Sequence, residues 1–234
     1  MNAVHPYGTA TPLAEDAALH VGSALDDDLQ GGAGRDQIFG EGGPDRLAGG
    51  GGDDLLYGGF GTSFTGGPLA AANAGDGGDT LSGGAGDDLL DGGGGPDRLR
   101  GGAGADTLIG GTGADTLVGG AGADLFRFGL TPGGADGGVG PGQRDVIADF
   151  DPAADLLDLR GWRGDGGTEA EALTLLGEAP LVALPHGAVR LEVCAAGMLV
   201  QIDLALPWAP ADGIMDAEIL LRGLTDLPVA ALLL

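Results

Sequence analysis

Apolar, acidic and glycine positions recur along this chain with a period of nine residues. Six units run without a gap from Ala74 to Arg127: AGDGGDTLS, GGAGDDLLD, GGGGPDRLR, GGAGADTLI, GGTGADTLV and GGAGADLFR. Four more precede them from Gly22 to Tyr57: GSALDDDLQ, GGAGRDQIF, GEGGPDRLA and GGGGDDLLY. The eighth position is always apolar: Leu29, Ile38, Leu47, Leu56, Leu81, Leu90, Leu99, Leu108, Leu117 and Phe126. The sixth is always aspartate: Asp27, Asp36, Asp45, Asp54, Asp79, Asp88, Asp97, Asp106, Asp115 and Asp124. Glycine dominates positions one, two and four, as in Gly31, Gly32 and Gly34, Gly83, Gly84 and Gly86, and Gly101, Gly102 and Gly104. Gly110, Gly111 and Gly113, and Gly119, Gly120 and Gly122, continue the series. A fixed period outranks every other reading of a sequence. Glycine at these positions allows positive φ, so the backbone can turn its carbonyls inward.

The units resemble the RTX nonapeptide, G-G-x-G-x-D-x-U-x. The resemblance implies an all-β chain, a calcium-loaded parallel β-roll closed by a C-terminal β-rich cap. The last three residues of each unit then form a short strand with position eight inward. Two units make one coil, and units two apart stack at about 4.8 Å. Calcium takes six to eight oxygens from carboxylates and carbonyls, so each ion is expected between two stacked turns, with one aspartate from each. The pairs are Asp27/Asp45, Asp36/Asp54, Asp79/Asp97, Asp88/Asp106, Asp97/Asp115 and Asp106/Asp124. About six calcium ions are expected, with the repeat aspartates and glycines as ligands. Leu25, Ser23, Glu41 and Ala74 replace glycines, and the Asp27/Asp45 site is the weakest.

The net charge of −25, with ten arginines and no lysine, changes the picture in two ways. It argues against nucleic acid and against an anionic membrane face. It also suits a chain that takes up cations. Low aromatic content, much glycine and high charge also describe a disordered acidic segment, which fits the metal-free chain. The strict phase is what disorder leaves unexplained. Cys194 is the only cysteine and lies in the apolar stretch LEVCAAG, so a packed thiol is expected and no internal disulfide. No apolar run is long enough to cross a membrane as a helix, and the first residues lack the features of a Sec signal peptide.

In chain order, residues 1–21 read as a leader with a helical turn near Leu13–Leu19 and solvated His5 and His20. The roll covers 22–127, in blocks 22–57 and 74–127. The segment 58–73 interrupts it, either as a loop or as a hinge between two rolls. Its Gly-Thr-Ser-Phe-Thr lacks the final glycine of a nucleophile elbow. The glycine clusters lack the following helix of a dinucleotide site, and no lysine is present for a phosphate loop. From Arg144 to Trp162 the sequence RDVIADFDPAADLLDLRGW resembles the C-terminal domain of serralysin-type metallopeptidases. Asp145, Ile147, Asp149, Phe150, Asp155, Leu157, Asp158 and Leu159 match. Asp145 and Asp149 either complete a last calcium shell or serve as turn and strand-end carboxylates. A short helix is expected at Glu169–Leu176, and strands at Ala188–Val193, Met198–Leu204 and Glu218–Leu221. Asp203–Gly213 does not satisfy an EF-hand. Residues 128–234 should cap the open end of the roll.

The resemblance implies a secreted module without catalysis, exported by a type I (ABC) machinery through an uncleaved C-terminal signal that Asp226 and Leu232–Leu234 fit loosely. The zinc motif of a serralysin is absent, since His5, His20 and His186 lack its spacing. Scarce cytosolic calcium leaves the coils loose; abundant extracellular calcium folds them. Two other readings are an adhesive surface protein, its cell-surface or extracellular partner unknown, and a hydrolase hidden in 128–234, testable at His186. Neither outward row forms the threonine ladder of an ice-binding face.

Overall fold

A computed structural model describes residues 18–59, 77–131, 134–135, 142–161, 174–177, 188–203 and 217–233. The strands in chain order are β1 (Leu19–Ser23), β2 (Asp28–Gln30), β3 (Gln37–Glu41), β4 (Arg46–Gly51), β5 (Leu55–Tyr57), β6 (Thr80–Ala85), β7 (Leu89–Asp91), β8 (Arg98–Ala103), β9 (Thr107–Ile109) and β10 (Thr116–Ala121). They continue with β11 (Leu125–Thr131), β12 (Gly134–Ala135), β13 (Asp145–Ile147), β14 (Leu156–Gly161), β15 (Thr174–Gly177), β16 (Ala188–Cys194), β17 (Gly197–Asp203), β18 (Ala217–Arg222) and β19 (Leu232–Leu233).

Alternate strands fall into two facing sheets, as two units per coil require. One runs β1-β3-β5-β7-β9-β11-β14-β19, with β12 paired to β11. The other runs β15-β16-β17-β18-β13-β10-β8-β6-β4-β2. Pairing within the repeats is parallel and in register, for example Leu81↔Leu99 and Leu90↔Leu108. The chain is an all-β parallel β-roll over this span. β4 pairs β6 and β5 pairs β7, so both sheets run unbroken past residues 60–76. The two repeat blocks form one roll.

Position eight supplies the core. Ile38, Leu56, Leu90, Leu108, Phe126 and Leu157 stack from one sheet, and Leu47, Leu81, Leu99, Leu117 and Ile147 from the other, all at most 2% exposed. Leu29 in the first coil is only half-buried. Each of these side chains contributes about 1.5–3 kcal/mol on burial, and the in-register pleat is what keeps them all inside.

Several expectations change. The leader does not extend to residue 21, because Leu19–Ser23 is a strand pairing in parallel with β3. His20 is not a solvated histidine: it pairs with Ile38 in the inward column, and its Nε2 is buried. A polar ring thus closes the apolar column at its first coil. Thr174–Gly177 is a strand paired with β16, not the end of a helix, since pairing to a formed sheet overrides the local helical preference. Cys194 is half-buried. The strands expected near 188, 198 and 218 are present as the antiparallel β16, β17 and β18. The remaining readings at 1–17, 60–73, 162–173, 186 and 204–213 lie outside the described residues. Among the described residues no helix is long and apolar enough to cross a membrane.

Candidate metal centre

The ten repeat aspartates are buried, at 0–7% exposure. Each sits at the end of a glycine turn, just before its strand, and it continues the sheet ladder with its side chain. The N–H of one aspartate donates to Oδ1 of the aspartate one coil on. On one side the series runs Asp27→Asp45 (2.8 Å), Asp45→Asp79 (2.7 Å), Asp79→Asp97 (2.7 Å), Asp97→Asp115 (2.8 Å) and Asp115→Asp145 (2.8 Å). On the other it runs Asp36→Asp54 (2.8 Å), Asp54→Asp88 (2.7 Å), Asp88→Asp106 (2.9 Å), Asp106→Asp124 (3.0 Å) and Asp124→Asp155 (3.0 Å).

All six pairs expected from the sequence are stacked in this way. Four further pairs lie beyond those six, and of their residues Asp145 was already a candidate for a last calcium shell. Asp45/Asp79 and Asp54/Asp88 span the interruption with a separation of 34 residues. Asp115/Asp145 and Asp124/Asp155 carry the series past the last repeat. Periodicity alone could not find them, because their separations of 34, 30 and 31 residues break the 18-residue spacing. Asp145 and Asp155 both lie in the segment from Arg144 to Trp162 that the sequence singled out.

The second carboxylate oxygen is the informative atom. Oδ2 of Asp54, Asp88, Asp106, Asp115, Asp124 and Asp145 is buried and has no hydrogen-bond partner. Such orphaned acceptors are costly unless something else meets them. At the roll's ends the oxygen is used differently. Asp27 Oδ2 accepts from the Ser23 N–H and hydroxyl, Asp36 Oδ2 from the Gly32 N–H, and Asp155 Oδ2 from the Asp151 N–H.

Glycine serves the site for two reasons rather than the one expected. At positions two and four it supplies positive φ, as at Gly84 (121°) and Gly86 (129°). At position one it does not. A Cβ on Gly83 would collide with Oδ2 of Asp88, and one on Gly101 with Oδ2 of Asp106. Gly31, Gly110 and Gly119 leave the same space for Asp36, Asp115 and Asp124. Gly32 and Gly34 also lack positive φ, and the Gly32 N–H donates to Asp36 Oδ2. Glu41 fills a position-two site with φ of 84°, the one non-glycine residue at positive φ among the described residues.

Burial raises the carboxylate pKa values first, and stacked carboxylates add to it. Asp54 and Asp106 are pushed up to about 6 and Asp88 up to about 7. Asp115, Asp124, Asp145 and Asp155 are also raised, chiefly by burial. Rows of like charges in a dry turn can ionise together only beside a cation. Hard oxygen donors with no histidine or thiol among them suit calcium rather than zinc or copper. Among the described residues no group of three or more acidic, histidine or cysteine side chains forms a metal cluster. A cation between two stacked turns would meet two carboxylates and would need further oxygens to fill its shell. Asp149 takes another role. Its oxygens accept from the N–H groups of Gly119 and Gly120, both at 3.0 Å, and cap that turn.

One family of known proteins matches these repeats. The RTX calcium-binding nonapeptide repeat matches in four copies, over residues 21–56, 30–64, 73–108 and 91–126. A search of curated proteins finds no match. Among solved structures, one subunit of the mannuronan C5-epimerase from Azotobacter vinelandii is 28% identical. The alignment covers 91% of this chain and 80% of that one, with a TM-score of 0.35. Residues 21–64 and 73–126 thus match the RTX calcium-binding nonapeptide repeat, and their described part is wound as a parallel β-roll.

Proposed function

We propose that this chain is a secreted, non-catalytic calcium-binding module whose roll folds when extracellular calcium enters the stacked turns. The observation that carries the proposal is the set of buried, unpartnered Oδ2 atoms in the interior coils. The ligands would be Asp27, Asp36, Asp45, Asp54, Asp79, Asp88, Asp97, Asp106, Asp115 and Asp124, completed by carbonyls of the glycine turns. Bound calcium would supply the positive charge that the turns lack. The aspartate oxygens hold and orient it, and the excluded water keeps the attraction strong. The stacked pairs number five on each side, so between six and ten ions are proposed, with the end pairs filling last because Asp27, Asp36 and Asp155 already use Oδ2 on backbone amides. Extracellular modules of this kind bind at about 10⁻⁴–10⁻³ M. Type I export of a loose, calcium-poor chain fits the same coupling, and residues 128–234 would serve as cap and export signal. Circular dichroism during a calcium titration tests this: strand signal should appear cooperatively. A roll fully formed in chelator would count against it.

A second, compatible reading is favoured by one observation. Arg46, Arg98 and Arg100 are exposed on one outward sheet face, beside Thr80 and Ser82 on neighbouring strands. None of the three makes a side-chain ion pair or hydrogen bond among the described residues. Three unpaired cations on a chain of net charge −25 suit contact with an anionic extracellular polymer. Dextran sulfate should bind in calcium where neutral dextran does not, and R98A/R100A should weaken it several-fold. Equal binding of both polymers would remove this reading.

A further inference from the structure

The outward faces of the two sheets differ in kind. Positions seven and nine of each unit flank the inward position eight and point away from the core. In the sheet that holds β1, β3, β5, β7, β9 and β11, one outward row runs Leu19, Gln37, Leu55, Leu89, Thr107 and Leu125, and ends at Leu156 of β14. The other runs Val21, Phe39, Tyr57, Asp91 and Ile109, with Arg127 next on β11. The Phe39 and Tyr57 rings stack with centroids 5.1 Å apart and planes 7° from parallel. Leu19 and Val21 are 63% and 41% exposed, and the apolar members beyond them are half-buried, since in-register neighbours shield one another. The matching positions of the opposite sheet carry Arg46, Thr80, Arg98 and Thr116, with Arg100 beside them. A contiguous apolar sheet face left outside on a chain of net charge −25 marks an association surface.

We propose that this face joins two copies of the chain, sheet against sheet, about a two-fold axis at β9. A second copy is the occupant that fits on charge, on symmetry and on area. The two rows hold few charges, so two acidic chains meet here without setting one carboxylate turn against another, and a strongly charged partner finds little to pair with. The charges present are self-complementary. Asp91 and Arg127 lie in one row on either side of Ile109, so the axis brings the Asp91 of each copy to the Arg127 of the other. Arg127 lies 3.5 Å from Asp158 and still leaves 48% of its side chain exposed for this contact. The same operation sets Leu89 on Leu125 and Leu55 on Leu156, with Thr107 at the axis. Seven strands from β3 to β19, about 4.8 Å apart, make a face roughly 35 Å long and about 15 Å wide. Two such faces bury on the order of 1,000 Å² together, the lower limit for a specific interface. The dimer is therefore weak and reversible. It needs only the folded roll, and calcium enters because the reading above makes folding depend on it.

Sedimentation equilibrium of the full chain in calcium, with circular dichroism on the same samples, tests this. The parent should show a concentration-dependent equilibrium between monomer and dimer. T107R should raise the dimer dissociation constant at least about tenfold, because like charges then face each other at the axis, and it should keep the parent's strand signal. T116R, the same change at the same repeat position of the opposite sheet, should leave the dimer unchanged. If T107R loses strand signal, L89T decides. Threonine suits an outward strand position, and the change removes the Leu89 contact from both copies, so the dimer should weaken several-fold. A folded parent that stays monomeric overturns the proposal, and so does a dimer that T107R and T116R weaken equally or not at all. A monomeric parent that instead binds phosphatidylcholine vesicles gives the face to a lipid surface and overturns it as well. Strand signal already complete in chelator sinks the calcium reading alone, since the dimer is then read on that folded chain. A parent without strand signal in either condition sinks both.

Discussion

At the scale of single residues, each aspartate has two separable duties, and substitutions can divide them. Asn at Asp106 keeps the Oδ1 acceptor for the Asp88 N–H and loses the charge that holds a cation. D106N should cost about 3 kcal/mol in calcium, the range for breaking a buried charge pair. In chelator it should be neutral or stabilising, because one of a row of buried like charges is gone. Thermal melts in both conditions would show the reversal. The glycines divide in the same way. G101A should disrupt its turn, because the new Cβ meets the Asp106 carboxylate. G51A, whose Cβ would come no closer than 3.9 Å to any neighbour, should be neutral or stabilise by about 0.5 kcal/mol. E41G should stabilise by about 1 kcal/mol by relieving a left-handed non-glycine residue. Denaturant unfolding in calcium would rank the three. The sequence made the glycine positions legible but merged their two causes, because clearance for a carboxylate depends on a contact five residues away.

At the scale of the element, a strand and its turn behave as a proton-linked unit when calcium is absent. The folded pKa values of Asp54, Asp106 and Asp88 lie above the unfolded value of 3.8. Protonation is therefore favoured in the roll, and the stability they contribute is fully present below about pH 4. It is lost as pH rises through about 6 to 7. In chelator, strand signal should thus grow as pH falls from 8 towards 4. With calcium the direction reverses, because protons compete for the ligands and acid releases the ions. Circular dichroism against pH, with and without chelator, would check both signs. The strands themselves were legible from the apolar eighth positions, since an inward row repeated ten times leaves little choice of register. The strand at Thr174–Gly177 was not, because it depends on pairing with β16 rather than on its own pattern.

At the scale of the whole molecule, one roll runs from Leu19 into the cap, with no break at the interruption. The sequence left open whether there were one or two rolls. An insertion erases the phase, and only the sheet pairing restores it. The pairing of Asp145 with Asp115 and of Asp155 with Asp124 was hidden for the same reason: their coils keep the geometry of the repeat and not its spacing. His20 was misread because a leader and a first coil look alike until β1 is seen against β3. The core column is continuous, so a cavity in it should weaken the whole assembly. L108A should lose about 2–5 kcal/mol, read as an earlier calcium-saturated melt. The central claim is that buried aspartate turns fold around divalent ions. Isothermal calorimetry of the full chain, followed in parallel by far-UV circular dichroism, tests it most directly. The account requires between six and ten calcium ions taken up together with the appearance of strand signal. A single ion, or strand signal complete in chelator at neutral pH and unmoved by calcium, would contradict it.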